Sequence, residues 1–256
     1  MEKILTSEMS WLEFERYVKE NDMIIIPVGV LEEHGHHNPL GTDTLIAEKA
    51  AYEIGKKANV AVAPVLPYGH TSNILDFPGT ITLDPLLYKK LLVAYAESYI
   101  KHGIKKILFV NGHGGNTDVL QMVSRALFEK HGTFSFNNQW WEVLPQLNKD
   151  WDCADHGGYF ETSLMLATNE SIVDMTKAKT APSVQLTEKI AYGHGWSFKN
   201  AKINVPSNLY NMQKIGNVGN PPQDATVELG NMMLDEYVKF NVELLEEMKK
   251  VKLTNL

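Results

Sequence analysis

A single cysteine, Cys153, stands in 256 residues, so no disulfide can form within the chain. That scarcity fits a reducing compartment. Long apolar runs are missing too. Stretches such as "MIIIPVGV" (23–30) are strand-sized, well short of the ~20 residues that cross a bilayer as a helix. There is no run of basic residues. The 24 Lys and Arg against 31 Asp and Glu leave a net charge of -7, which argues against binding nucleic acid or an anionic membrane surface. The first residues, "MEKILTSEMSWLEFERYV", are broken by charge, unlike a secretory leader. Internal repeats and low-complexity segments are likewise absent. A soluble, cytoplasmic protein is expected. With 44% hydrophobic and 21% charged residues, the chain has ordinary globular composition and ample length for one large core.

Apolar strands alternate with amphipathic helices. Strands are expected over 23–30, 60–66, 106–110 and 133–137. Helices are expected from the segment after Thr42, where Ile46, Ala50 and Ile54 share a face, and from Pro85, with Asp84 as cap and Gly103 as stop. Further helices are expected over 117–131, ending at Gly132, over 159–168, and over about 223–250. Between the last two lies a long stretch rich in Asn, Gly and Pro. The pattern predicts an α/β fold, a three-layer sandwich around a mainly parallel sheet, in a single domain over 1–256. In such sheets ligands sit beyond the carboxyl ends of the strands. The segments just after 23–30 and 106–110 are therefore the candidate site regions.

Strand 23–30 leads into "EEHGHHNPLGTD" (32–43). Glu-x-His at a strand end puts Glu32 and His34 on one face, because side chains alternate. Asp43 falls in the first turn of the next helix, where the dipole favours a carboxylate. The same position suits plain capping, with Thr42. Strand 106–110 leads into "NGHGGN" (111–116), whose glycines open turns closed to other residues. There His113 projects from the ligand edge, or belongs to a simple glycine-rich turn. The segment lacks the Lys and spacing of a P-loop and is not G-x-G-x-x-G. In "DHGGYFETSLML" (155–166), His156 precedes a glycine pair and Glu161 opens an apolar helical run. A carboxylate there is costly unless paired or metal-bound, the plainer alternative being a first-turn glutamate in solvent. Together Glu32, His34, Asp43, His113 and Glu161 make three carboxylates and two imidazoles, a set suited to Zn²⁺ or Mn²⁺. Five ligands exceed the need of one open catalytic ion and fit a pair bridged by a carboxylate. Three carboxylates and a bridging hydroxide would neutralise two divalent ions, and such a hydroxide is a nucleophile at neutral pH. No G-x-S-x-G elbow indicates a serine hydrolase, and Cys153 reads as a small buried residue. Trp140, Trp141 and Trp151 are candidates for either a substrate wall or the core.

The motifs "PVGVLEEHGHHNPLGTD", "YGHTSNILDFPGTITLD", "VNGHGGN" and "DHGGYFETSLML" together resemble the creatininase (creatinine amidohydrolase) family, from about residue 10 to 240. The resemblance implies a compact α/β sandwich with two divalent metal ions, Zn and/or Mn. It implies metal ligands at Glu32, His34, Asp43 and His113, proton transfer by His156, and Ser72 at the substrate. It also implies a homo-oligomer, often a hexamer, with the site near subunit contacts. Where creatininases read His-Tyr-Glu, this chain has His113, Gly114 and Gly115. The substrate-contacting tyrosine falls on Gly114 and a glutamate ligand on Gly115, so Glu161 is expected to complete the set. His36 and Asn38 replace the residues of the usual "HGPHLP", a change expected at the pocket edges. The implied activity is hydrolysis of the C–N bond of a small, polar, cyclic amide by a metal-bridging hydroxide. Opening of a carbocyclic, inositol-derived diketone or cleavage of a formamide at the same site are alternatives. A non-catalytic metal- or ligand-binding oligomer is a third.

Overall fold

The structure, a computed structural model, describes residues 3–193, 195–199, 201–203 and 205–252. Three parallel strands form its centre in the order β1 (Met23–Val28), β2 (Lys106–Asn111) and β3 (Phe134–Gln139), with Met23 beside Lys106 and Lys106 beside Phe134. Every residue of β1 and β2 is buried, as the apolar runs Met23–Val28 and Ile107–Val110 require. Side-chain alternation then divides the core. Ile24, Ile26, Val28, Ile107 and Phe109 face α1 (Trp11–Glu20), α3 (Pro85–Ile100) and α4 (Thr117–His131). Met23, Ile25, Leu108 and Val110 face α2 (Thr42–Ala58), α6 (Tyr159–Asn169) and α8 (Val227–Lys250). The three expected layers are present, and Ile46, Ala50 and Ile54 form the inner face of α2. No helix among the described residues is long and apolar enough to cross a membrane.

Residues 60–66 differ from expectation. They lie beside β1 but form only isolated bridges, at Val62 and Leu66. Ile25 donates to Ala61 O at 2.9 Å and receives from Ala63 N–H at 2.8 Å, a regular start. Pro27 has no N–H for the next rung, and the pairing resumes one residue late, Leu66 donating to Pro27 O at 3.1 Å. Likewise β1 ends at Val28, two residues before the expected limit.

Three helices and a sheet were not expected. Helix α1 starts with a capping box between Ser10 and Glu13. Helix α5 (Trp140–Leu147) follows β3 directly. The Asn-, Gly- and Pro-rich stretch holds a four-stranded antiparallel sheet of β4 (Val184–Thr187), β5 (Ile190–Gly193), β6 (Gly195–Phe198) and β7 (Ala201–Ile203), then the short α7 (Leu209–Met212). Strands of three or four residues are too short to display a two-residue period. Helix α3 obeys its sequence signals: Asp84 Oδ1 accepts from the N–H groups of Leu86 and Leu87 at 2.9 and 3.0 Å.

Loss of that cap in Asp84→Ala should cost about 1 kcal/mol. Leu120→Ala, which empties a fully buried site between α4 and the sheet, should cost about 2–5 kcal/mol. Urea denaturation of the two variants checks the order; equal midpoints would contradict it.

Candidate metal centre

The carboxyl ends of β1 and β2 are brought against the first turn of α2. Gly112 follows β2, and a Cβ there would collide with the Asp43 carbonyl oxygen, so only glycine lets strand end and helix touch. His113 is thereby seated beside Asp43. Its turn is pinned from inside: Asn111 Oδ1 accepts from His113 N–H at 3.1 Å, and Asn116 Nδ2 donates to Gly29 O at 3.1 Å. Glu161 arrives on the first turn of α6. Asp155 caps this helix, accepting from Phe160 N–H at 2.8 Å, and Gly157 N–H holds Glu161 Oε2 at 2.6 Å. Gly157 has φ +57° and lies against the His34 backbone, where a side chain would meet both strain and contact.

Glu32, His34, Asp43, His113 and Glu161 converge, all buried. Asp43 stands at the centre. Its Oδ1 lies 2.9 Å from His34 Nε2 and its Oδ2 lies 2.9 Å from His113 Nδ1. His34 Nε2 is 3.5 Å from Glu161 Oε2, and His113 Nδ1 is 3.1 Å from Glu32 Oε1. Three groups of side chains could each hold one ion, Glu32–Asp43–His113, His34–Asp43–Glu161 and Glu32–His34–His156, and the first two share the Asp43 carboxylate. The far nitrogen of each ring is tied to a backbone carbonyl, His34 Nδ1 to Glu32 O and His113 Nε2 to His70 O, both at 3.0 Å. A carbonyl only accepts, so those nitrogens carry the hydrogens. Once the proton facing the carboxylates is displaced, rings held this way would aim a lone pair into the cluster, the arrangement that a metal-ligating histidine needs.

The electrostatics ask for a cation. Glu32 Oε2 is buried without a hydrogen-bond partner, and Asp43 Oδ2 faces only the His113 ring. Among the described residues no Lys or Arg is paired with the three carboxylates. Without a metal, protons fill the role. Burial opposes charge on His113, but Glu32 and Asp43 overcome it and lift its pKa to about 10. Burial opposes charge on His34 as well, and Asp43 and Glu161 raise it well above the ordinary value. Burial would raise the Asp43 pKa, yet His34 and His113 pull it far below the carboxylate range. Mixed imidazole and carboxylate ligands of this number fit Zn²⁺ or Mn²⁺.

His156 lies beside the cluster, its ring 4.4 Å from that of His34. Its Nδ1 is 3.7 Å from Glu32 Oε1, and its Nε2 is 3.2 Å from Glu33 Oε1. Glu33 is a residue that sequence reasoning missed. Strand alternation would have sent it away from Glu32 and His34. Because β1 has already ended, all three side chains turn inward from a loop. The doubled glutamate of "EEH" was the available signal.

A cavity of about 740 Å³ opens over the cluster and His156. Ser72 and Gly114 line it, as do Trp140 and Trp141. Trp151 does not; it is partly buried against the hydrophobic core. His36 and Asn38 are not at the cavity edge either. His36 donates to Lys214 O, and Asn38 is buried against Thr162 Oγ1 at 2.9 Å, behind the cluster. Gly115 has no room for a glutamate: a Cβ would run into His70 O, the carbonyl that orients His113. Glu161 occupies the cluster instead.

The family model for creatinine amidohydrolase (Creatininase) matches residues 7–245. Creatinine amidohydrolase from Pseudomonas putida is 30% identical over 201 residues, 70% of this chain and 77% of that protein. Mycofactocin precursor peptide peptidase from Mycolicibacterium smegmatis (strain ATCC 700084 / mc(2)155) is 34% identical over 180 residues, 67% and 69% of the two chains. A solved creatininase in a manganese form superposes with a TM-score of 0.78 at 25% identity, covering 96% of this chain and 98% of its own.

Protons and metal should compete for this cluster. Since the His113 pKa is raised to about 10, the metal-free protein holds that proton at neutral pH, and a divalent ion must displace it. Zinc affinity should therefore weaken as pH falls from 8 to 6. Calorimetric titration in two buffers of different ionisation enthalpy should show protons released; no release would contradict the assigned charge state.

Proposed function

Because the chain belongs to the creatininase family of metal-dependent amidohydrolases, we propose that it hydrolyses the C–N bond of a small, polar, cyclic amide with two divalent ions. One ion would be held by Glu32, Asp43 and His113, the other by His34, Asp43 and Glu161. The observation that carries this reading is Asp43, a buried carboxylate with one oxygen facing each histidine. Zinc or manganese in these positions would supply Lewis acidity for the substrate carbonyl and bring the pKa of water toward ~7.

The protein's own groups supply the rest. His156 faces the cluster with Nδ1 and would accept a proton there, then deliver it to the leaving nitrogen. Ser72, Gly114, Trp140 and Trp141 line the cavity and would border the substrate there. Trp140 Nε1–H is buried without an acceptor and would donate to a substrate oxygen. The replacement of a tyrosine and a glutamate by Gly114 and Gly115 leaves this wall open. A cavity near 740 Å³ is spacious for a single small ring. That space, with a peptidase among the relatives, favours as a second reading an amide within a longer, peptide-like substrate.

Protein purified without chelator should contain about two divalent ions per chain by elemental analysis, and His113→Ala no more than one. A panel of creatinine, N-formyl amines, a cyclic diketone and short peptides should reveal amine release from an amide. His156→Ala should lower kcat about 10²–10⁴-fold while keeping its metal. Full turnover by a metal-free protein, or by His113→Ala, would overturn the reading.

A further inference from the structure

We propose that Glu33 is a positioning residue that grips His156 through Nε2–H and so presents Nδ1 to the metal-binding cluster. Glu33 follows Glu32 directly, yet its carboxylate leaves the cluster. Its Oε2 accepts from Gly35 N–H at 2.9 Å, and its Oε1 lies 3.2 Å from His156 Nε2. An ionised carboxylate only accepts, so Nε2 carries the hydrogen of this bond. The other ring nitrogen, Nδ1, is thereby left on the side of Glu32 Oε1, 3.7 Å away.

The grip is braced from behind. Gly216 packs on the Glu33 carboxylate so closely that a Cβ would overlap Oε2. Gly216 sits in a turn organised by Gln213, whose Oε1 accepts from the N–H groups of Ile215 and Gly216, each at 2.7 Å. Two residues further on, Val218 exchanges backbone hydrogen bonds with His156 at 2.9 and 2.8 Å. The same turn therefore fixes the His156 backbone and walls the carboxylate that fixes its ring. An imidazole without such a partner can turn over about its Cβ–Cγ bond and exchange its two nitrogens. Here only one orientation keeps the Glu33 bond, which is how a buried carboxylate orients a catalytic histidine elsewhere.

This inference rests on the reading that His156 relays a proton. As water oxygen bonds to the carbonyl carbon, one of its protons passes to Nδ1; as the C–N bond breaks, that proton passes to the departing nitrogen. Glu33 touches neither substrate nor the relayed proton.

The test is made on zinc-loaded protein, zinc being diamagnetic, with ¹⁵N-labelled histidine. In ¹H–¹⁵N spectra at one pH, wild type should show a slowly exchanging proton on His156 Nε2, assigned by its loss in His156→Asn. Glu33→Ala should lose that signal to exchange with zinc content unchanged, and Glu33→Gln, which keeps an acceptor oxygen, should restore it. Should Glu33→Ala not fold, Glu33→Asp, which keeps the charge but draws the carboxylate back by one methylene, should lose the signal as well. A protected proton on Nδ1 instead of Nε2, or a signal untouched by Glu33→Ala, overturns the proposal. Hydrolysis is followed separately: signal loss with unaltered turnover would refute the proton relay while leaving Glu33 as the residue that orients His156.

Discussion

A buried carboxylate between two imidazoles is the constraint around which this molecule is arranged. Asp43 cannot be solvated where it lies, so its negative charge must be met inside the protein. One oxygen meets His34 and the other meets His113. Those histidines come from beyond different strands, and each brings a second carboxylate close, Glu161 or Glu32. The excess of acid over fixed base makes the cluster a place for protons or for divalent cations. Its stability and its chemistry therefore share one origin.

Holding such a cluster requires that its members not rotate away. The backbone does much of this. The carbonyls of Glu32 and His70 each occupy the far side of a histidine, and the N–H of Gly157 occupies Glu161. Glycine at 112 permits the contact between strand end and helix that sets the distance from Asp43 to His113. The absence of a side chain at Gly115 serves the same end, since a glutamate there would disturb the carbonyl that orients His113. The third carboxylate of the cluster, Glu161, comes from α6.

Strands β1 and β2, helices α2, α3, α4 and α8, and the five ligand candidates could be found from periodicity, caps and motif spacing. These features are local: an unbroken apolar run, a capping aspartate before proline, a histidine in a glycine turn. Where expectation failed, the deciding contacts were distant or the period too short to see. Pro27 spoils the ladder of residues 60–66 because the missing N–H belongs to a neighbouring strand. The β4–β7 sheet has strands of three or four residues. Asn38 turned out to support Thr162 from behind, a contact across 124 positions that no local pattern announces.

By itself the chain of residues determined which chemical groups are at hand and which elements bear them, because hydrophobic period, capping and glycine placement act within a few residues. It also carried enough of four motifs to mark the creatininase resemblance. Only the tertiary structure decided how those groups pair: that Asp43 is shared, that Glu33 serves His156 instead of facing solvent, that Trp140 and Trp141 face the cavity while Trp151 does not. Such pairings depend on a distance of a few ångströms between segments a hundred residues apart, and that distance is set by packing of the whole core.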